Sequence, residues 1–144
     1  MPERPPERPP FSPVIALLTV SSVWDARLGS ALKDVGLTTR KYGLLAHIQA
    51  TPGISFSELA RRSQITVQTA HTAVRSLVDD GFASDATAHA GAASDLRLTD
   101  KGIRALAAAD QLLAQLDADF SGGAPALTSA LRGLHEEPFG VDEA

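Results

Sequence analysis

None of the 144 residues is cysteine. That absence excludes disulfide scaffolds, thiol catalysis, thiol-based redox sensing and cysteine-ligated zinc or iron–sulfur centres. Long apolar runs are missing as well. The longest nearly apolar stretch starts at Val14 and is broken by Thr19, Ser21, Ser22 and Asp25, far short of a membrane span. The N-terminus carries acids and prolines rather than a cationic segment followed by an apolar one, so no secretory signal is expected and a cytoplasmic protein is the default. Histidine is sparse: His47, His71, His89 and His135 lie at least 18 residues apart, without a His-x-His or His-x-x-x-His pair. There is also no nucleophile motif and no phosphate-binding glycine loop. No catalytic residue, metal or cofactor is therefore expected.

What is present is ordinary in bulk and uneven in detail. The chain is 44% hydrophobic and 21% charged, with a net charge of -4, as suits one soluble globular domain with one core. A negative total argues against a surface coated in positive charge for nucleic acid. By segment the picture changes: residues 38–78 carry +4, residues 79–104 carry -2, and residues 105–144 carry -6. The chain has a basic middle and an acidic C-terminal end.

Periodicity divides the sequence further. Residues 1–13 are a proline-rich tail, expected to be disordered or polyproline-like. Apolar residues at 14, 17, 20, 24, 28, 32 and 35 make a helical stripe that Gly36 ends. A helix of that length, roughly 33 Å at 1.5 Å per residue, calls for a partner in so small a domain. Thr38 or Thr39 can cap a second helix over 39–50, which Thr51-Pro52-Gly53 breaks. Ser55 with Glu58 forms a capping box for a third helix ending near Ser63-Gln64. Thr66 then caps a fourth, with Ala70, Val74, Leu77 and Val78 inward and Gly81 as the stop. The third and fourth helices are spaced as a helix-turn-helix. Phe82–Ala88 and Asp95–Thr99 read as two short strands around a Gly/Ala/Ser-rich tip, a hairpin wing. A helix over 101–119 is broken by Ser121-Gly122-Gly123, and Pro125 opens a last one. Residues 136–144 are an acidic tail.

Four short strings stand at fixed places in this order: Leu37-Thr38 before the second helix, Ser57-Glu58-Leu59-Ala60, the L-x-x-x-G-F of 77–82 and the L-T-x-x-G of 98–102. Together with the order α-α-α-α-β-β-α-α they resemble the MarR family of winged-helix transcription regulators. The resemblance covers about residues 14–135. It implies a mainly α fold, a winged helix-turn-helix domain over 37–100, and dimerisation helices over 14–36 and 101–135. It also implies a homodimer that binds double-stranded DNA at a palindromic operator, without membrane association, and that takes a small, often aromatic, ligand between its lobes.

The residues agree with a DNA role. On the fourth helix Gln68, Thr69, His71, Thr72 and Arg75 face away from the inward positions. Gln pairs with adenine, Arg with guanine, and Thr meets a thymine methyl. Arg40, Lys41, Arg61 and Arg62 are candidates for the phosphate backbone. Trp24, Arg27, Tyr42 and His47 are the candidates for a ligand pocket. The wing departs from the family pattern. Asp85 stands where the family closes the first strand with Arg, and Ala90, Gly91 and Ala92 occupy the tip where an arginine is usual, with His89 the sole cationic candidate there. Thr72 also replaces a frequent Arg. An alternative expectation follows: a scaffold that has lost DNA binding and serves as a small-molecule-binding protein or cofactor-free enzyme.

Overall fold

A computed structural model of the chain describes residues 1–2, 5–86 and 94–136. Helix α1 spans Pro13–Leu32 and passes into a 3₁₀ turn, Lys33–Val35. The following helices are α2 (Thr39–Ala50), α3 (Phe56–Ser63) and α4 (Val67–Asp79). Strands β1 (Ala83–Asp85) and β2 (Leu96–Leu98) come next, then α5 (Asp100–Gly123) and α6 (Pro125–Glu136). Among the described residues no helix is long and apolar enough to cross a membrane.

Side-chain caps set most helix starts. The hydroxyls of Ser12, Thr38, Ser55, Thr66 and Thr99 each accept a main-chain N–H from the first turn that follows. Pro13 and Pro125 occupy first helical positions, where a missing N–H costs nothing. The α3–α4 turn is made by Gln64 at φ +55°, an unusual left-handed setting for a residue with a side chain. Its N–H closes α3 on the carbonyls of Ala60 and Arg61.

The core lies where α2, α3, α4, β2 and α5 converge, and Leu45, Ile48, Leu59, Leu77 and Leu96 are fully buried in it. Strands β1 and β2 pair antiparallel with Ala83 opposite Leu98 and Asp85 opposite Leu96. The hairpin is tied back to the α2–α3 loop: Gly53 N–H donates to the Leu96 carbonyl at 2.8 Å, and Ser94 Oγ donates to the Ile54 carbonyl. It is tied to α5 as well. Thr99 Oγ1 donates to the Gly81 carbonyl and accepts from Gly102 N–H, while Thr99 N–H donates to the Phe82 carbonyl. This knot gives the L-x-x-x-G-F and L-T-x-x-G strings a physical meaning. Gly81 takes φ +79°, and Gly102 lies so close to Phe82 that a Cβ there would sit 1.9 Å from the Phe82 carbonyl oxygen.

Four expectations need correction. Among the described residues each strand is three residues long: Phe82 and Ala86 fall outside the first, Asp95 and Thr99 outside the second because Thr99 turns to cap α5, and Thr87 and Ala88 lie outside the described set. The first helix is α-helical only to Leu32, because the chain tightens into the 3₁₀ turn before Gly36. Helix α5 runs on through Ser121, Gly122 and Gly123 to a last hydrogen bond from Ala124 N–H to the Phe120 carbonyl, and the break falls where Pro125 starts α6. Val78 is 39% exposed, since Ala70, Val74 and Leu77 already fill the inward arc of α4 and its neighbour one residue on is turned about 100° away. The tip residues His89, Ala90, Gly91 and Ala92 and the tail 137–144 lie outside the described residues.

Candidate nucleic-acid interface

Helix α4 buries Ala70, Val74 and Leu77 and leaves Gln68, His71, Thr72 and Arg75 exposed, with Thr69 half-buried. Not all of these side chains are equally available. Thr72 Oγ1 donates to the Gln68 carbonyl one turn back, and Thr69 Oγ1 accepts from the capping hydroxyl of Thr66. Both threonines therefore spend hydrogen-bonding capacity inside the helix. Gln68, His71 and Arg75, in steps of three and four, form one stripe along the exposed face. One flank of α4 faces the start of α2 across a shallow depression lined by Thr38, Arg40, Lys41, Gln68, Thr72 and Ser76. The other flank meets α3, where the His71 imidazole stacks on the Phe56 ring at 3.8 Å between centroids and 18° between planes.

The phosphate candidates divide as sharply. Arg40 is exposed at the start of α2 and makes no ion pair among the described residues. Lys41 is bound to Asp80 at 2.6 Å, and the Asp80 carbonyl accepts from Lys101 Nζ, so the C-terminal end of α4 is braced by α2 and α5 together. Arg61 and Arg62 both hold Glu58, and Arg62 also donates to Thr51 Oγ1. Glu58-x-x-Arg61-Arg62 is the i,i+3 and i,i+4 spacing that brings such pairs together, a signal passed over in naming Arg61 and Arg62 as phosphate contacts. Hydrogen bonds from Arg61 and then Arg62 hold the Glu58 carboxyl down at about 2. A depressed carboxylate adds stability above its ordinary value near 4.5 and loses it only as pH falls towards 2, so the clamp is intact at every physiological pH. Exposed ion pairs of this kind are weak enough for a phosphate to compete. Replacing Glu58 by Gln keeps the Ser55 cap, which uses the Glu58 main-chain N–H, and removes the negative charge that pairs both guanidinium groups. Affinity for duplexes of any sequence is expected to rise, and the slope of log K against log salt to steepen by about 0.9 for each further phosphate neutralised; a salt titration of Glu58→Gln against the parent checks it.

At the wing, Asp85 Oδ1 accepts the Asp95 main-chain N–H at 3.4 Å, and Arg97, the cation on β2, is held by Asp95 at 2.9 Å. The acid at position 85 thus helps close the base of the hairpin.

The ligand candidates do not share one pocket. Trp24 lines an apolar cavity of about 340 Å³ between α1, α5 and α6, together with Leu28, Leu113, Leu116, Asp117 and Phe120. Phe120 meets Trp24 edge-to-face at 5.1 Å, and Arg27 lies 4.6 Å over the Trp24 ring. Tyr42 is elsewhere: its hydroxyl donates to Asp110 at 2.7 Å, and burial, followed by that carboxylate, pushes it up to about 12. It is a fixed strut between α2 and α5. His47 faces a second depression, of about 370 Å³, with Arg40, Ser63 and Gln64 against the α3–α4 turn. Phe120 and Asp117, which sequence reading left out, are the missing members of the Trp24 cavity.

A family model described as MarR family matches residues 35–89. The HTH-type transcriptional repressor Rv2887 of Mycobacterium tuberculosis is 36% identical over 92 residues, which cover 63% of this chain and 66% of that protein, and its Mycobacterium bovis counterpart Mb2911 matches equally. The chain thus spans 66% of the length of these curated relatives. Among solved structures, Rv2887 in complex with DNA superposes with a TM-score of 0.71 at 26% identity, covering 88% of this chain and 98% of that one. Rv2887 in complex with salicylic acid superposes with a TM-score of 0.67 at 27% identity, covering 88% and 96%.

Proposed function

We propose that this chain is a member of the MarR family and a ligand-responsive transcriptional regulator binding a palindromic operator as a homodimer. Repression is the mode that the relatives' names carry. The observation that carries the reading is the outward stripe of Gln68, His71 and Arg75 on a helix whose flank borders Arg40. A helix presented in this way fits the major groove, with its polar face on base edges and the cations beside it on the backbone. The cytoplasm, where its DNA lies, is the compartment in which such a regulator works.

Dimerisation is supported by the surface of the single chain. Val14, Ile15, Leu17, Leu18 and Val23 on α1 are each more than half exposed, and Leu127 and Leu131 on α6 are 37% and 42% exposed. Exposed apolar surface of that extent on α1 and α6 is what a second subunit covers. The Trp24 cavity opens among the same helices. Its size and its apolar wall, which includes the edge-to-face pair of Trp24 and Phe120, suit a small aromatic ligand, such as the salicylic acid of the Rv2887 complex. A ligand seated there acts within the dimer body, on the packing of α1 against α5 and α6, and through it alters the separation of the two α4 helices relative to half-sites one helical turn apart.

The test is a pair of substitutions. Arg75→Ala is expected to cost about 1–3 kcal/mol and to relax preference at one base position, whereas Arg40→Ala, at an exposed cation without an ion pair among the described residues, weakens all sequences alike and lowers the salt slope by about 1 per subunit. Binding isotherms on a preferred duplex and a scrambled one check both. Two variants that bind both duplexes as the parent does would contradict the assigned faces.

A further inference from the structure

The stacked pair Phe56–His71 lies outside every role assigned so far to α3. Phe56 is the first residue of α3, directly after the Ser55 cap, and its ring packs on the edge of the core while presenting a face to α4. His71 is exposed, its ring lies at 18° to that of Phe56, and among the described residues no hydrogen bond engages either ring nitrogen. In a face-to-face stack both nitrogens sit on the rim, clear of the supporting ring. The stack therefore restrains the imidazole without using what it has to offer, at least one N–H donor. Gln68, His71 and Arg75 extend about 10 Å along the helix at 1.5 Å per residue, close to three base-pair rises of about 3.4 Å. His71 is the middle group of that stripe, between an amide and a guanidinium.

We infer that Phe56 is a specificity-positioning residue: it holds the His71 imidazole flat so that a ring N–H is aimed at a purine acceptor, N7 or O6, at one base pair of the half-site. The inference rests on the regulator reading and adds to it a reader and the residue that aims it. A side chain fixed before binding loses less rotamer freedom when it docks, so its hydrogen bond discriminates more strongly than that of a mobile histidine. Phe56 itself touches no base in this scheme. Its contribution passes wholly through His71.

The experiment uses the full-length dimer and a duplex enriched by it from a random-sequence pool, with every single-base variant of that duplex then measured. Phe56→Leu, which keeps an apolar group of similar bulk and removes the aromatic face, and His71→Ala are each expected to lose about tenfold of discrimination at the same base pair. Phe56→Tyr, which restores the face, is expected to retain it. The double variant Phe56→Leu/His71→Ala is expected to match His71→Ala alone, since one hydrogen bond cannot be removed twice. Uniform weakening on all duplexes by Phe56→Leu, a loss at a different position from that of His71→Ala, or additive effects in the double variant overturns the inference while leaving the regulator reading intact. A parent protein that enriches no sequence overturns the regulator reading, and the positioning role with it.

Discussion

Adding one methyl group at Gly102 is expected to cost this protein about 3 kcal/mol, the upper end of what overpacking usually does. The new Cβ would lie 1.9 Å from the Phe82 carbonyl oxygen and 2.9 Å from its carbonyl carbon, and both atoms are backbone. No rotamer change relieves that clash. Either α5 moves off the hairpin or the Phe82 peptide turns, and both routes break the knot in which Thr99 holds the Gly81 carbonyl, the Gly102 N–H and the Phe82 carbonyl. Thermal melts at fixed protein concentration should show Gly102→Ala lowered by about 6–12 °C, on a scale of roughly 2–4 °C per kcal/mol for a chain near this length. Gly43→Ala is the contrast. It lies inside α2 with nothing within 4 Å of the added atom, so the substitution should be neutral or raise the melting temperature. Equal melting temperatures for the two variants would contradict the packing described.

The second large effect belongs to the proposed dimer. Leu17 is 60% exposed on α1 and lines the mouth of the Trp24 cavity, so Asp at this position is compatible with the isolated chain and incompatible with a dry subunit interface. Leu17→Asp is expected to sediment as a folded monomer at concentrations where the parent is a dimer. Losing the second half-site is expected to weaken binding to a palindromic duplex by about 10²–10⁴-fold, the range that effective concentration supplies. Helical circular dichroism should remain close to that of the parent. A variant that stays dimeric, or a monomer that binds the palindrome undiminished, would contradict this arrangement.

The parts of the fold legible in the sequence are those governed by local chemistry. Ser55, Thr66 and Thr99 cap the helices that their hydroxyls foretell, and the inward arc of Ala70, Val74 and Leu77 follows from period alone. Legibility fails where distant parts decide. The Gly122–Gly123 pair looks like a break, yet as the closing residues of α5 it can stay helical until Pro125 begins α6. Val78 is apolar and one residue from Leu77, but α4 has room for only one of them against the core. The site divides in the same way. The outward face of α4 can be read from the wheel. The pairing of Trp24 with Phe120, the bond from Tyr42 to Asp110 and the stack of His71 on Phe56 join elements whose meeting no spacing announces. The Glu58 clamp on Arg61 and Arg62 is the reverse case, written in helix spacing and hidden by counting the arginines as free charge.

The net charge of -4 and the neutralised arginines of α3 make electrostatics the point at which a DNA-binding role is most exposed. The most direct measurement is the affinity of the purified dimer for DNA from the region upstream of its own gene, titrated over salt and footprinted. Sequence-specific binding that persists at about 100 mM salt is expected, with a steep loss of affinity as salt rises and protection of two half-sites about one helical turn apart. Binding without sequence preference, or none at that salt concentration, would contradict it.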